Sequence, residues 1–387
     1  MKKILISFPY FRIGGVENLI LTTAKELSKN NIDFKILTLY VEDSIKSEIK
    51  DFDIKFIRPP GSLEQKMKNK LFRYLLGMPV FLYLHFKHLP QFSKFLSFGT
   101  FSVYCISFVN LIYRKKIDLF YYEVDIKIPG KVKFNFTDPY QNFIQFLMLN
   151  FQDLFDNIFL KSVKAVIVID DKNLKYAKHH YSNFIKDFYL IYPALNFTER
   201  TTNHDNVSKK IKNIFKNPSK FLTIVGTLDI KKNTIEAIKL LKFLNEKKQK
   251  YELVIVGAGE LESELKKSVE ELLLSNKVYF TGKVNFDELS YIYQNTYCNL
   301  FFAKNQTWGL TPFEALMYNK PSIVSNESGC SEFLERHKIN YIYKLNDSYE
   351  GCLKFLEENC QNFTYDKSKL VELLPKNYIK KLLSIIF

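Results

Sequence analysis

The sequence predicts an α/β protein made of two Rossmann-like domains. Two runs of alternating apolar strands and amphipathic helices predict it, together with glycines placed where strands end. The first run opens "KKILISFPYFRIGGVENLILTTAKELSKNNIDFKILTLY". A strand over 4–8 leads through Gly14-Gly15 into a helix whose apolar Val16, Leu19, Ile20, Ala24 and Leu27 recur at helical spacing. A second strand follows over 34–39, completing a βαβ unit, whose parallel sheet carries ligands beyond the carboxyl ends of its strands. "DIKFIR", "IDLFYYE", "VKFNF" and "AVIVID" read as further strands of that sheet, and "DFYLIYPALNFTER" as its last. The polar stretch after it places a domain boundary near Asn196. The second run begins at "FLTIVGTLDIKKNTIEAIKLLKFL" and continues through "YELVIVGAGELESELKKSVEELL", "KVYFTGKV" and "ELSYIYQNTYCNLFFA" to "PSIVSN". The expected division is 1–195 and 196–369, with an amphipathic helix over 370–387 packing back on the first domain.

A chain of 387 residues has room for two domains with full cores. Five cysteines without a C-x-x-C pair indicate a reducing compartment and neither a disulfide framework nor a zinc site. Only six histidines occur, and His179-His180 and His85/His88 have no cysteine or acidic partners at ligand spacing, so no protein-held metal and no cofactor are expected. The amino-terminal "MKKILISFPY" is basic and then apolar, but its apolar run is too short for a signal peptide and ends at Pro9. A cytoplasmic protein is expected.

The net charge of +15 is unevenly distributed. Residues 61–117 hold nine Lys/Arg against the single acid Glu64, a surplus of eight in one segment. Within it, 95–113 runs 19 residues without a charge, long enough to span a bilayer and flanked by Arg114-Lys115-Lys116. Its serines, glycine, threonine and asparagine favour a core helix of the first domain over a membrane span. A third reading, compatible with the second, has "KMKNKLFRYLLG" with Lys66, Lys68, Lys70 and Arg73 docking on anionic lipid headgroups. Nucleic acid is not an expected partner: the charge sits in one apolar segment, and no motif of the known readers occurs.

Three glycine sites stand at strand ends. Gly14-Gly15 could let backbone approach an anionic group. "VGAGELESEL" is half of a dinucleotide fingerprint; it lacks the third glycine and follows the wrong strand, so NAD binding is not read from it. "VGTLDIKKN" sets Lys232 six residues beyond Gly226, ahead of a helix opened by Asn233, where it either points at a phosphate or is merely solvated. "NQTWGLTPFEALMYNKPSIVSN" places Gln306 and Glu314 eight positions apart across a Gly-Leu-Thr-Pro turn. Gly309, Leu310 and Thr311 would present N–H groups at a helix start to an anion such as a diphosphate, and Glu314 would accept from hydroxyls of the same ligand. The plainer alternative is an acidic residue near a helix N-terminus.

In this order the pieces resemble the retaining glycosyltransferases of the GT-B fold, the large family 4 (group 1) type. "IVGTLDIKKN" looks like that family's Gly-Arg…Lys donor loop, and "VYFTGKV" like its base-binding turn, with Lys283 and Val284 at the position whose backbone reads the base. "QTWGLTPFEALMYNKPSIVSN" looks like the Glu-x7-Glu element, "SGCSEFL" like its Gly-Gly-x-x-Glu end, and "GGVENLILTTAKEL" like the first glycine loop. The resemblance implies two Rossmann-like domains facing each other across a cleft. It also implies transfer of a hexose from a UDP- or GDP-sugar to a glycan or lipid-linked acceptor without a metal. In this family the sugar keeps its anomeric configuration, by front-side attack with the leaving phosphate helping to deprotonate the acceptor. Lys232 would supply charge to the leaving diphosphate, with Gly15, Thr227, Gly309, Leu310 and Thr311 around the donor and Gly14 on the acceptor side. Three departures stand out: Thr227 replaces the family's arginine, Gln306 its first glutamate, and "FNFTDPY" lacks its first-domain histidine, leaving Asp138 as the nearest polar candidate. They keep open a second reading, a catalytically weak or inactive GT-B protein that binds nucleotide or a partner transferase.

Overall fold

The structure, a computed structural model, describes residues 3–387 except 12–13, 44, 46–48, 50–51, 125–151, 196–201, 217–218 and 307. It comprises two compact units. Unit 1 holds Met1–Ala194 and Glu372–Phe387, and unit 2 holds Leu195–Val371.

Unit 1 contains β1 (Lys3–Ser7), β2 (Tyr10–Phe11), α1 (Gly15–Lys29), β3 (Asp33–Leu37), β4 (Tyr40–Val41), β5 (Phe56–Ile57), α2 (Gly61–Lys66) and α3 (Lys70–His88). After these come β6 (Lys94–Phe98), α4 (Thr100–Tyr113), β7 (Asp118–Glu123), α5 (Gln152–Phe159), β8 (Val163–Val168), α6 (Asp171–Tyr181) and β9 (Asp187–Leu190). Seven of its strands form one sheet in the order β5-β3-β1-β6-β7-β8-β9, every pair parallel. The chain reverses its direction of sheet growth at β1 and β6, which makes their carboxyl ends the switch point of this sheet.

Unit 2 runs α7 (Lys209–Ile214), β10 (Lys220–Val225), α8 (Thr234–Glu246), β11 (Tyr251–Val256), α9 (Glu262–Glu271), β12 (Val278–Gly282) and α10 (Phe286–Asn295). It ends with β13 (Cys298–Phe301), α11 (Thr311–Met317), β14 (Ser322–Ser325), α12 (Ser331–His337), β15 (Tyr341–Tyr343) and α13 (Glu350–Glu358). Its six-stranded sheet, β12-β11-β10-β13-β14-β15, is also parallel throughout. Strand β11 shows why its sequence is a continuous apolar run: Leu253 and Ile255 enter one core cluster, while Val254 and Val256 enter another on the opposite face.

The remaining helix, α14 (Pro375–Ile386), belongs to unit 1. It packs on α1, burying Tyr378, Ile379, Leu382 and Ile386, and the Tyr378 hydroxyl lies 2.7 Å from Thr23 Oγ1.

The segment 95–113 corrects the sequence reading. It is neither one core helix nor a membrane span: it is strand β6, a bend at Gly99 and helix α4. Gly99 has φ of +80°, a conformation open to glycine at little cost, and the chain turns there. No described helix is long and apolar enough to cross a membrane. The expected strand "DIKFIR" shrinks to Phe56–Ile57, whereas "VKFNF" lies outside the described residues.

Candidate active site

The site is built in unit 2 from loops that leave the carboxyl ends of β10, β11 and β13. Backbones meet closely there. Gly257 stands so near the turn after β10 that a Cβ on it would lie 1.9 Å from the Gly226 carbonyl oxygen. The two glycines of "VGAG" are thereby explained by loop packing, since Gly259 meets the Leu228 backbone in the same way.

Lys232 is held by its own loop. Asp229 Oδ1 accepts from the Lys232 N–H at 3.0 Å, and Asp229 Oδ2 accepts from the Thr227 hydroxyl at 2.6 Å. The lysine stem folds back over Gly226, where an added Cβ would sit 3.3 Å from its carbons. Its ammonium donates to Gln306 Oε1 at 2.8 Å and lies 5.8 Å from the centre of the Phe301 ring. Burial lowers the Lys232 pKa from the usual lysine value, against the opposing pull of Asp229 and Glu314. Asn233, which caps α8 in the left-handed conformation, is buried, and its Nδ2 has no partner among the described residues.

The second wall is the chain from β13 to α11. Gly309 has φ of +99°, and a Cβ there would come within 2.4 Å of the Phe301 ring, so this turn admits only glycine without rearrangement. Trp308 is buried and stacks on Phe313, fixing the turn to the helix it precedes. The Gln306 carbonyl accepts from the Gly329 N–H at 2.7 Å, and the Trp308 carbonyl from the Cys330 N–H at 3.1 Å, tying "SGCSEFL" to the same loop. Glu314 is half-buried in the first turn of α11, and its Oε2 accepts from the Tyr293 hydroxyl at 2.8 Å. Burial raises the Glu314 pKa above the ordinary carboxylate range, against the Tyr293 hydrogen bond and the charge of Lys232. Thr311 Oγ1 has no partner among the described residues.

Unit 2 thus brings Thr227, Lys232, Gln306, Gly309, Leu310, Thr311 and Glu314 to one end of its sheet. Lys283 and Val284 follow β12; Lys283 is exposed, and Val284 packs against the cluster that contains Phe221 and Val256. Gly14 and Gly15 open α1 in unit 1. Asp138 lies outside the described residues, and nothing is described of the Lys70 side chain. Lys66 lies over the Phe72 ring, Lys68 pairs with Asp43 at 3.3 Å, and Arg73 donates to the Met67 and Lys68 carbonyls. Sequence reasoning missed Asp229 and Tyr293. The first has a signal, an aspartate three residues before Lys232, the spacing of a side-chain-closed turn; the second has none.

The arrangement can do one thing chemically: present an ammonium and hydrogen-bonding groups to an oxygen-rich anion, with a carboxylate nearby to accept from hydroxyls. Residues 205–362 match the family described as glycosyl transferases, group 1. Alpha-1,3/1,6-mannosyltransferase ALG2 of Dictyostelium discoideum is 24% identical over 215 residues, covering 49% of this chain and 51% of that protein. O-antigen chain mannosyltransferase RfbU of Salmonella typhimurium is 34% identical over 88 residues, covering 22% of this chain and 25% of its own. The chain therefore spans about half, or less, of the curated relatives it matches. Among solved structures, Anabaena HepE in complex with UDP and glucose superposes with a TM-score of 0.74 at 15% identity, covering 100% of this chain and 99% of that one. WaaG, a glycosyltransferase involved in lipopolysaccharide biosynthesis, superposes with a TM-score of 0.64 at 17% identity, covering 99% of each chain.

Proposed function

We propose that this chain, which carries a group 1 glycosyltransferase domain on a GT-B fold, is a retaining hexosyltransferase. It takes a UDP- or GDP-hexose and glycosylates a glycan or lipid-linked acceptor at the inner face of the cell membrane, without a metal. The observation that carries the reading is Lys232 Nζ held 2.8 Å from Gln306 Oε1, in the same loop cluster as the Gly309 turn and the helix start that bears Glu314. Mannosyltransferases among the relatives and UDP in the HepE structures support the donor class.

In the reaction the bond from the sugar C1 to the diphosphate oxygen breaks, and a bond from C1 to the acceptor oxygen forms on the same face. The acceptor proton passes to a phosphate oxygen, and the nucleoside diphosphate leaves. Lys232 stabilises the charge that grows on that leaving group, an effect realised most fully in the transition state. The ribose hydroxyls donate to Glu314, and the N–H groups of Gly309, Leu310 and Thr311 face the phosphates. Lys283 and Val284 offer backbone to the base. Gln306 fixes the ammonium without neutralising it, and Asp138 takes the place of the polar group that the family's first-domain histidine supplies.

A panel of UDP- and GDP-hexoses incubated with purified protein and membrane extract tests the proposal; absence of both transfer and nucleotide binding across the panel overturns it. A second reading has specific support: Thr227 is spent on Asp229, and Gln306 carries no charge. In that reading the protein binds nucleotide, or a partner transferase, without catalysis. Thr227→Arg with Gln306→Glu separates the two. Silence of both parent and restored protein, with nucleotide still bound, favours the scaffold.

A further inference from the structure

We propose that the outer face of the carboxyl-terminal half of α4, with the adjoining end of α3, is the surface by which unit 1 lies on an anionic lipid bilayer. This deepens the membrane-surface reading above and rests on it, but it moves the contact away from the Lys66–Arg73 stretch.

Helix α4 has two faces with opposite fates. Val103, Ile106 and Val109 are buried in the unit 1 core. Phe108, Leu111 and Ile112, at i, i+3 and i+4, stand out from it, Leu111 55% and Ile112 57% exposed. Helix α3 extends the same patch, since Phe86 lies 4.9 Å from the Tyr113 ring and its carbonyl accepts from the Tyr113 hydroxyl at 2.8 Å. Tyr83, one turn before Phe86, is 60% exposed. Exposed apolar side chains scattered singly need no explanation, but these are contiguous and aromatic-rich.

The charges around the patch select its occupant. Neither α3 nor α4 contains an Asp or Glu. Lys87, Arg114 and Lys116 stand at its rim, all exposed, with no carboxylate partner among the described residues. By contrast, Lys68 already pairs with Asp43, and Arg73 is taken by backbone carbonyls. A two-fold contact through these two helices would bring the same cations together with no acid from either helix to answer them. An apolar face edged by free cations matches the boundary between acyl chains and anionic headgroups. Because no described helix can cross a bilayer, the contact is interfacial.

The test uses the full chain with vesicles of phosphatidylglycerol and phosphatidylcholine, against pure phosphatidylcholine, and measures UDP binding in parallel without lipid. The parent should sediment with the anionic vesicles and be released by high salt. Phe108→Ser with Ile112→Ser, and separately Lys87→Gln with Arg114→Gln and Lys116→Gln, should each weaken partitioning about tenfold or more while UDP binding is unchanged. Equal sedimentation of parent and both variants overturns the proposal. So does a loss produced only by replacing Lys66, Lys68 and Arg73. A parent dimer that Phe108→Ser with Ile112→Ser makes monomeric, without vesicle binding in either, overturns it in favour of self-association. The UDP arm keeps the two readings apart: its failure in the parent strikes the transferase assignment, while sedimentation alone decides the surface.

Discussion

At the residue scale, the candidate site holds two ionisable groups whose charged forms burial disfavours. Glu314 has its pKa raised by burial, and Lys232 has its pKa lowered by the same cause. A carboxyl that holds its proton more tightly when folded lowers stability as pH rises from the ordinary carboxylate range through its raised folded value. Glu314→Gln should therefore raise the melting temperature of nucleotide-free protein at neutral pH, with the gain shrinking as pH falls. In the proposed role the same change should weaken UDP or GDP binding, because one carboxylate oxygen that accepts from hydroxyls is replaced by an amide nitrogen that cannot. Glu314→Ala should cost about 2 kcal/mol or more of binding, roughly thirtyfold, from hydroxyls left without an acceptor. Calorimetric titration of both variants checks this; affinities equal to the parent's would remove Glu314 from the site. Lys232 and Glu314 stand out in the sequence as candidates because local chemistry marks them, one by a glycine turn and the other by a helix start. Tyr293 was not: the hydroxyl that holds Glu314 arrives from α10 by folding, at a separation of 21 residues.

At the scale of elements, one histidine ties α3 to the end of β1, beside the apolar packing of Phe81 and Leu84. His85 is fully buried; its Nδ1–H donates to the Phe81 carbonyl at 2.8 Å, and its Nε2 accepts from the Ser7 hydroxyl at 2.8 Å. With both nitrogens so used the ring is neutral, and burial lowers its pKa from 6.5 to about 4. The unfolded chain takes up a proton first, so unit 1 loses stability as pH falls from 6.5 towards 4, by on the order of 3 kcal/mol. Thermal melts across that span check it, and His85→Gln should flatten this part of the profile. Elements also show where sequence reasoning failed. Strand β6 lies between β1 and β7 and is buried on both faces, so "FLSF" has no alternation to distinguish it from the apolar start of α4. Gly99, at which the chain turns with φ of +80°, is the sign of the break that the sequence carries.

At the scale of the molecule, unit 2 is one continuous stretch of chain, whereas unit 1 is completed only by α14. Four side chains of α14 are buried in unit 1. At about 1.5–3 kcal/mol each, their loss approaches the whole stability of an ordinary domain. Deleting 375–387 should therefore unfold unit 1 or lower its melting temperature steeply, while unit 2 keeps binding nucleotide; a single unchanged transition would count against this division. The overall α/β plan was legible because both large sheets are parallel and written in apolar runs separated by amphipathic helices. Charge was legible only as a surplus: which cations are free depends on partners such as Asp43, 25 positions away from Lys68 in the chain. The position of α14 also has a consequence for biosynthesis. A ribosome makes all of unit 2 before it makes the helix that closes unit 1, so the half synthesised first is the half that matures last. In the interval α1 presents a greasy, unsealed flank, and chaperones should engage the nascent protein there.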